Sequence, residues 1–375
     1  MTILFHGARK LDAAGQVDEF WMLVDGDTIV ATGSGHEHPD AETTVDVGGD
    51  WLLPGFIDLH GHGGGGHAYD DDAEAVLAAL AMHRRHGTTR SVLSLVANPL
   101  ARLRSSLDLI ADLAADDPLI LGSHLEGPFL SPGNRGAHSA EYLLEPQPFE
   151  VEQLITAARS TLRQITLAPE LPGAFEAIDV FVESGVAVGV GHTVADEATA
   201  HRAFDRGARM LTHAFNAMPG IHHRAPGPVV AAFDDDRVTL ELILDGVHVH
   251  PSVAQLAFGA APGRIALVTD AMAAAGSIDG DYTLGAMTVA VRDGLAMLRG
   301  TSTLAGSTLT QDAALRLALT IVPPADAVAA LTITPARALG LDQRHGMLEP
   351  GYVADAVLLD HRWNVTAVWA DGRKL

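Results

Sequence analysis

The sequence predicts an α/β chain: a (β/α)8 TIM-like barrel with a small β-sandwich domain formed by both termini. Three observations carry this. Short apolar runs alternate with helix-length stretches through the middle of the chain, and repeated β–α units at that spacing build a parallel sheet. Both ends are rich in strand-forming residues and flank the alternating part. Finally, 47% hydrophobic and 19% charged residues in a chain of 375 suit one large folded domain and a smaller one.

In order, Thr2–His6, Phe20–Val24 and Thr28–Gly33 are strand-like, and Asp25-Gly26-Asp27 is a hairpin turn. The apolar run Leu52–Leu59 opens the barrel, followed by a helix over Glu74–His86 and a strand over Thr89–Val96. Further helix–strand pairs are Leu100–Ala115 with Leu119–His124, Phe149–Leu162 with Ile165–Ala168, and Ala174–Ser184 with Val186–Val190. Glu197–Arg206 precedes Arg209–Thr212, and the strand Thr239–Leu244 precedes the helix Ser252–Ala260 and the strand Ile265–Thr269. That makes eight strands. Thr283–Val291 and Gly294–Leu298 form a hairpin inserted near 277–303, and Leu309–Ile321 and Ala325–Ala338 are closing helices. Val353–Leu359 and Val365–Ala370 return to β structure. The expected domains are therefore 1–50 with 343–375, and a barrel over 51–342.

The net charge of −23 argues against nucleic acid or an anionic membrane as partner, so an anionic substrate needs its own local cations. Cysteine is absent, which excludes disulfide and thiolate chemistry. The apolar run in MTILFHGARKLD is too short for a signal peptide, and no window of ~18 apolar residues is present. A soluble cytoplasmic protein is the expectation.

Chemistry gathers where strands end. In LLPGFIDLHGHGGGGH, His60 and His62 stand at i and i+2 and so share a strand face. Gly63–Gly66 follow without side chains, and His67 reads as loop. The other strand ends carry Glu126 in SHLEGP, His192 in VGHT, His213 in LTHAFNAMPG, Asp245 and His248 in LDGVHVH, and Asp270 in LVTDA. Singly, each is an ordinary cap or satisfied polar residue. Together, at one end of successive barrel strands, they make a metal site. His60, His62, Glu126, His192, His213 and Asp270 suit one or two divalent ions, with Glu126 able to bridge. Zinc is the first expectation for such a set with an open position, and iron, cobalt and manganese are the alternatives.

These segments, in this order and spacing, resemble the amidohydrolase superfamily. PGFIDLHGHG, HLEGPF, VGHT, THAFNAMPG, DGVHV and LVTDA are similar to the N-acetylglucosamine-6-phosphate deacetylase family throughout residues 50–340, and the terminal β segments match as well. HLEGP and H-x-F-N-A-M-P are the specific motifs. Having both His60 and His62, the chain is expected to hold two metals, since some members replace the first histidine and carry one.

The resemblance implies hydrolysis of the N-acetyl group of a phosphorylated amino sugar. Asp270 is then the general acid/base and His138, in GAHS, the donor that stabilises the oxyanion. Arg224 in HHRAPG and His248 are expected to bind the phosphate, with Asn216, Ala217, Ala137 and Asp245 as further substrate contacts. Leu304-Ala305-Gly306 is expected to close over the sugar. By the same analogy Arg224 reaches the neighbouring subunit's site, which implies a homodimer. His222 and His223 acquire no role.

The alternatives are deacetylation of N-acetylgalactosamine-6-phosphate, a cyclic-amide hydrolase, and a non-catalytic metal-binding scaffold. Cyclic-amide hydrolases usually place a carboxylated lysine where Glu126 stands. A scaffold that had lost activity would be expected to lack a base such as Asp270.

Overall fold

The computed structural model describes residues 1–375, which separate into two compact units. One comprises Met1–Asp58, His83–Arg90 and Gln311–Leu375, and the other Leu59–Met82 and Ser91–Thr310.

In the first unit, both termini build one sheet. Its order is Arg373–Lys374, Val365–Ala370, Ala356–Leu359, Trp51–Pro54, Thr2–Asp12, Gly15–Asp25 and Thr28–Ser34, with Thr43–Asp46 pairing beside Thr2–Asp12. Phe5, Met22, Val24, Ile29 and Leu52 fill its core, and Phe5 meets Trp369 edge-on at 5.0 Å. The expected strand Leu52–Leu59 is two strands. Trp51–Pro54 joins the terminal sheet, and Phe56–Gly61 joins the barrel. The break falls at Gly55, where a Cβ would lie 2.3 Å from Thr89 Oγ1, so the chain passes only with glycine there.

The second sheet has eight strands in the order Phe56–Gly61, Thr88–Val96, Ile120–Glu126, Leu162–Leu167, Ala187–Val190, Met210–Leu211, Thr239–Ile243 and Ile265–Val268. The registered neighbours are parallel. Parallel strands buried on both faces read as continuous apolar runs, and every residue of Thr88–Val96 is buried. The two edges of the sheet approach through Gly61 and Ala271, and Asp270 donates its N–H to the His60 carbonyl at 2.7 Å. The barrel thus nearly closes at its C-terminal rim, among the residues that carry the chemistry.

Several expected boundaries move. The helix expected to reach Leu162 ends at Ala157, because Arg159 and Ser160 take positive φ (46° and 68°) and turn the chain into the next strand. Gly227–Asp234 is a helix that periodicity did not mark. Its run of small and apolar residues buries nearly all round and has no polar stripe. The inserted hairpin is a three-stranded sheet, Gly280–Leu284, Met287–Arg292 and Leu295–Leu298, with its own core of Leu284, Val289, Val291 and Leu298. The last expected helix is two, Pro324–Ala329 and Ile333–Ala338, parted at Thr332. No helix is long and apolar enough to cross a membrane.

Candidate metal centre and active site

Strand geometry aims six side chains at one point. His60 and His62 leave the first barrel strand on the same face, and Glu126 ends the strand Ile120–Glu126. His192, His213 and Asp270 follow their strands at φ of 46°, 28° and 48°. Left-handed backbone is unfavourable for side-chain-bearing residues and is retained only where the surroundings demand it. Here it turns the chain sharply out of each strand and leaves the side chain at the rim.

Glu126 is the hub. Its Oε1 lies 3.0 Å from both His192 Nε2 and His213 Nε2, and 3.4 Å from His60 Nε2. Its Oε2 lies 3.3 Å from His62 Nε2 and 3.2 Å from His138 Nε2. Asp270 Oδ1 sits 3.1 Å from His62 Nε2 and 3.5 Å from His60 Nε2. All of these groups are buried. Burial pushes the Glu126 carboxyl up, but the charges of His60 and His138 and hydrogen bonds from His138 and His192 hold it well below the usual range. Burial likewise opposes charge on His62, yet hydrogen bonds to Asp270 and Glu126 raise it to about 9. His60 is raised against the same penalty by the charges of Glu126 and Asp270.

This environment fits a divalent cation. Its two carboxylates already favour positive charge on His60 and His62, and a dication satisfies the same field. The outward nitrogens set the tautomers. His192 Nδ1–H donates to the Asn134 carbonyl at 2.9 Å, and His60 Nδ1–H donates to Glu241 Oε2 at 3.1 Å. Their Nε2 atoms then face inward, where His60 meets His62 at 3.2 Å and His192 meets His213 at 2.9 Å. His138 is oriented the other way. Its Nδ1 accepts the Ala97 N–H at 3.2 Å, so its Nε2 carries a proton and faces the site as a donor.

The centre opens into a cavity of about 540 Å³. His62, Glu126, His192, His213 and Asp270 form its floor, with His138 and Ala137 beside them. Asn216, Ala217, His248, Leu304 and Gly306 also reach the wall. His60 is off the wall. Asp245 is off the wall, holding His248 Nδ1–H at 2.7 Å and the backbone N–H groups of Val247 and His248 at 2.8 Å. Ala305 packs inward with the three-stranded sheet's core and is off the wall too. Arg224 is exposed, outside this cavity, with Nη1 2.7 Å from His223 Nε2.

Three features escaped sequence reasoning. Arg135 is the one arginine or lysine on the cavity wall, in the loop that also carries His138. Gly136, at φ 56°, lets that loop approach His192, since a Cβ there would lie 3.0 Å from His192 Cε1. Behind the floor, His124 hydrogen-bonds Ser94 at 2.9 Å and Thr166 at 2.8 Å, and Gln164 binds Glu241 at 2.5 Å. The available signal was polar residues inside otherwise apolar strands: His124 shares Glu126's face at i−2, and Glu241 interrupts TLELI.

The profile of the amidohydrolase family matches residues 51–375. The chain is 40% identical to N-acetylgalactosamine-6-phosphate deacetylase of Escherichia coli O157:H7, covering 100% of this chain and 99% of that protein. It is 35% identical to N-acetylglucosamine-6-phosphate deacetylase of Vibrio furnissii, covering 99% and 92%. Among solved structures, an alanine variant of N-acetyl-D-glucosamine-6-phosphate deacetylase from Mycobacterium smegmatis, in complex with N-acetyl-D-glucosamine-6-phosphate, superposes with a TM-score of 0.95. That match covers 100% of this chain and 99% of the other at 39% identity.

Proposed function

The chain belongs to the amidohydrolase family, and on that premise we propose that it is a metal-dependent hydrolase that removes the N-acetyl group of N-acetylglucosamine-6-phosphate, giving glucosamine-6-phosphate and acetate. The observation that carries this is the convergence of Asp270 and the His138 Nε2–H on the Glu126 cluster at the floor of one cavity.

His60, His62 and Asp270 would hold one divalent ion, His192 and His213 a second, and Glu126 would bridge. Zinc is the first choice of metal. A divalent ion there supplies Lewis-acid polarisation of the acetyl carbonyl and acidification of water.

This chain's residues do the rest. Asp270 takes a proton from the water that attacks the acetyl carbon. His138 Nε2–H donates to the oxygen as negative charge develops on it. Asp270 then returns the proton to the amide nitrogen as the C–N bond breaks, so the amine leaves neutral with acetic acid, which gives up its remaining proton to solvent as acetate. His138 is no ligand in this scheme, because its proton is on the inward nitrogen.

The phosphate is captured by His248, buttressed by Asp245, with Arg135 contributing from the same subunit and Arg224 from a neighbouring one. Asn216 and Ala217 complete that end, and Leu304 and Gly306 cover the sugar. A cytoplasmic homodimer belongs to this reading. N-acetylgalactosamine-6-phosphate is the second candidate substrate, favoured by the 40% identical relative.

The test is acetate release from both phosphorylated sugars and their unphosphorylated forms, on protein of measured metal content. The expected result is fast turnover of N-acetylglucosamine-6-phosphate. Preference for the galacto sugar would reassign the substrate, and no amide hydrolysis by the metal-loaded protein would end the reading.

A further inference from the structure

Glu241 is fully buried in the strand Thr239–Ile243 and lies off the cavity wall. A carboxylate removed from water persists in a core only when donors surround it. Its donors come from both halves of the centre. Oε2 accepts His60 Nδ1–H at 3.1 Å and the His213 backbone N–H at 3.4 Å. Oε1 accepts Gln164 Nε2–H at 2.5 Å. The backbone carbonyl of Glu241 accepts the Ala214 N–H at 2.8 Å, next to His213.

We propose that Glu241 is a positioning residue that sets both halves of the cation site at once: it fixes the His60 tautomer and ring plane, and it anchors the left-handed backbone that presents His213. This rests on the reading of His60 and His213 as ligands. A carboxylate behind a ligating imidazole makes the inward nitrogen a better donor. Here one carboxylate serves a ligand of each ion, so loss of its charge is felt at both. Gln164 is its counterpart. The amide must turn its NH2 towards Glu241, which fixes the carboxylate's orientation.

The charge can be removed without removing the hydrogen bonds. In Glu241→Gln the new carbonyl accepts from His60, while its NH2 faces Gln164, whose amide turns over to accept. Glu241→Asp keeps the charge but withdraws it from His60. Both variants and the wild type are titrated with Co2+ against a chelator, the cobalt absorption is recorded, and the metal-free proteins are melted. Glu241→Gln is expected to bind Co2+ about 10- to 100-fold more weakly with an altered spectrum. Glu241→Asp is expected to fall between it and the wild type. Wild-type affinity and spectrum in either variant would overturn the proposal, as would a lower melting temperature with unchanged cobalt binding, which would make Glu241 structural. A wild type that binds no Co2+ would instead remove the ligand reading beneath it.

Discussion

His138 accepts the backbone N–H of Ala97 on its Nδ1, at 3.2 Å, and this one contact decides what the ring does at the other end. A neutral imidazole accepting at one nitrogen carries its proton on the other, and that nitrogen lies 3.2 Å from Glu126 Oε2. His138→Asn should therefore leave metal content unchanged while lowering kcat by about 10²–10³, the size of a lost oxyanion donor. Metal analysis beside steady-state kinetics checks it, and a loss of metal would make His138 a ligand.

Glu126 touches five imidazoles, so its neutralisation should be felt as lost metal before lost fold. Glu126→Gln is expected to lose at least one ion per chain, because a neutral amide is a poor ligand and offsets no cationic charge. Full metal content in that variant would remove the bridging role.

Asp270→Asn should fold, bind substrate and lose at least ~100-fold in kcat, the usual size of a general acid/base contribution. Because Asp270 also faces His62, metal content is read in the same sample. A fully metallated variant with near-normal kcat would assign the proton transfer elsewhere.

His248 supplies a pH dependence with a definite sign. Burial lowers its affinity for a proton, but the hydrogen bond and charge of Asp245 more than compensate, so the imidazolium persists above the ordinary 6.5. If His248 captures the phosphate, its contribution is at full strength below pH 6.5 and weakens as pH rises through the raised value. In Asp245→Asn only the charge of Asp270 still opposes the burial penalty, and the KM for the phosphorylated sugar should begin rising at lower pH. Superimposable KM–pH profiles for the two proteins would remove His248 from the phosphate site.

Arg135 and Arg224 should separate by subunit. Either alanine variant is expected to weaken kcat/KM for the phosphorylated sugar, Arg224→Ala by roughly 2–4 kcal/mol as for a truncated charge pair, and neither should alter the poor activity on the unphosphorylated sugar. Mixing Arg224→Ala with Asp270→Asn chains should restore activity, since one site of the mixed dimer then has both groups and the other has neither. The same mixture made with Arg135→Ala should show no gain over the two separate variants, since each site then keeps its own chain's lesion. The opposite pattern would exchange their assignments.

The barrel was legible in the sequence because parallel strands and their helices differ so sharply in period, and the floor residues because each lies just past an apolar run. What failed to show has local causes. Leu52–Pro54 and Phe56–Leu59 read as one run broken only at Pro54, Gly55 and Asp58, and their division shows in partners distant in sequence, Gly55 N–H bonding the Asp355 carbonyl and Phe56 N–H the Gly87 carbonyl. The Gly227–Asp234 helix lacks a polar face to set its period. Glu241, Gln164 and His124 sit where pattern reading expects core, and their meaning lies in pairings such as Gln164 with Glu241, which no local window contains. Arg135 looks like any loop arginine until the loop is folded against His192.

The seam of the barrel has a consequence for how the protein is made. His60 and Thr269 stand 209 residues apart, yet the His60 carbonyl takes the Asp270 N–H and the Thr269 hydroxyl across the closing edge. Contacts of such long range form late, after the loop-closure entropy between them has been met. On the ribosome, His60 and His62 emerge long before Asp270, so a nascent chain ending short of it lacks both that carboxylate and the closing edge. The half of the centre built on His60, His62 and Asp270 is thereby tied to completion of the barrel.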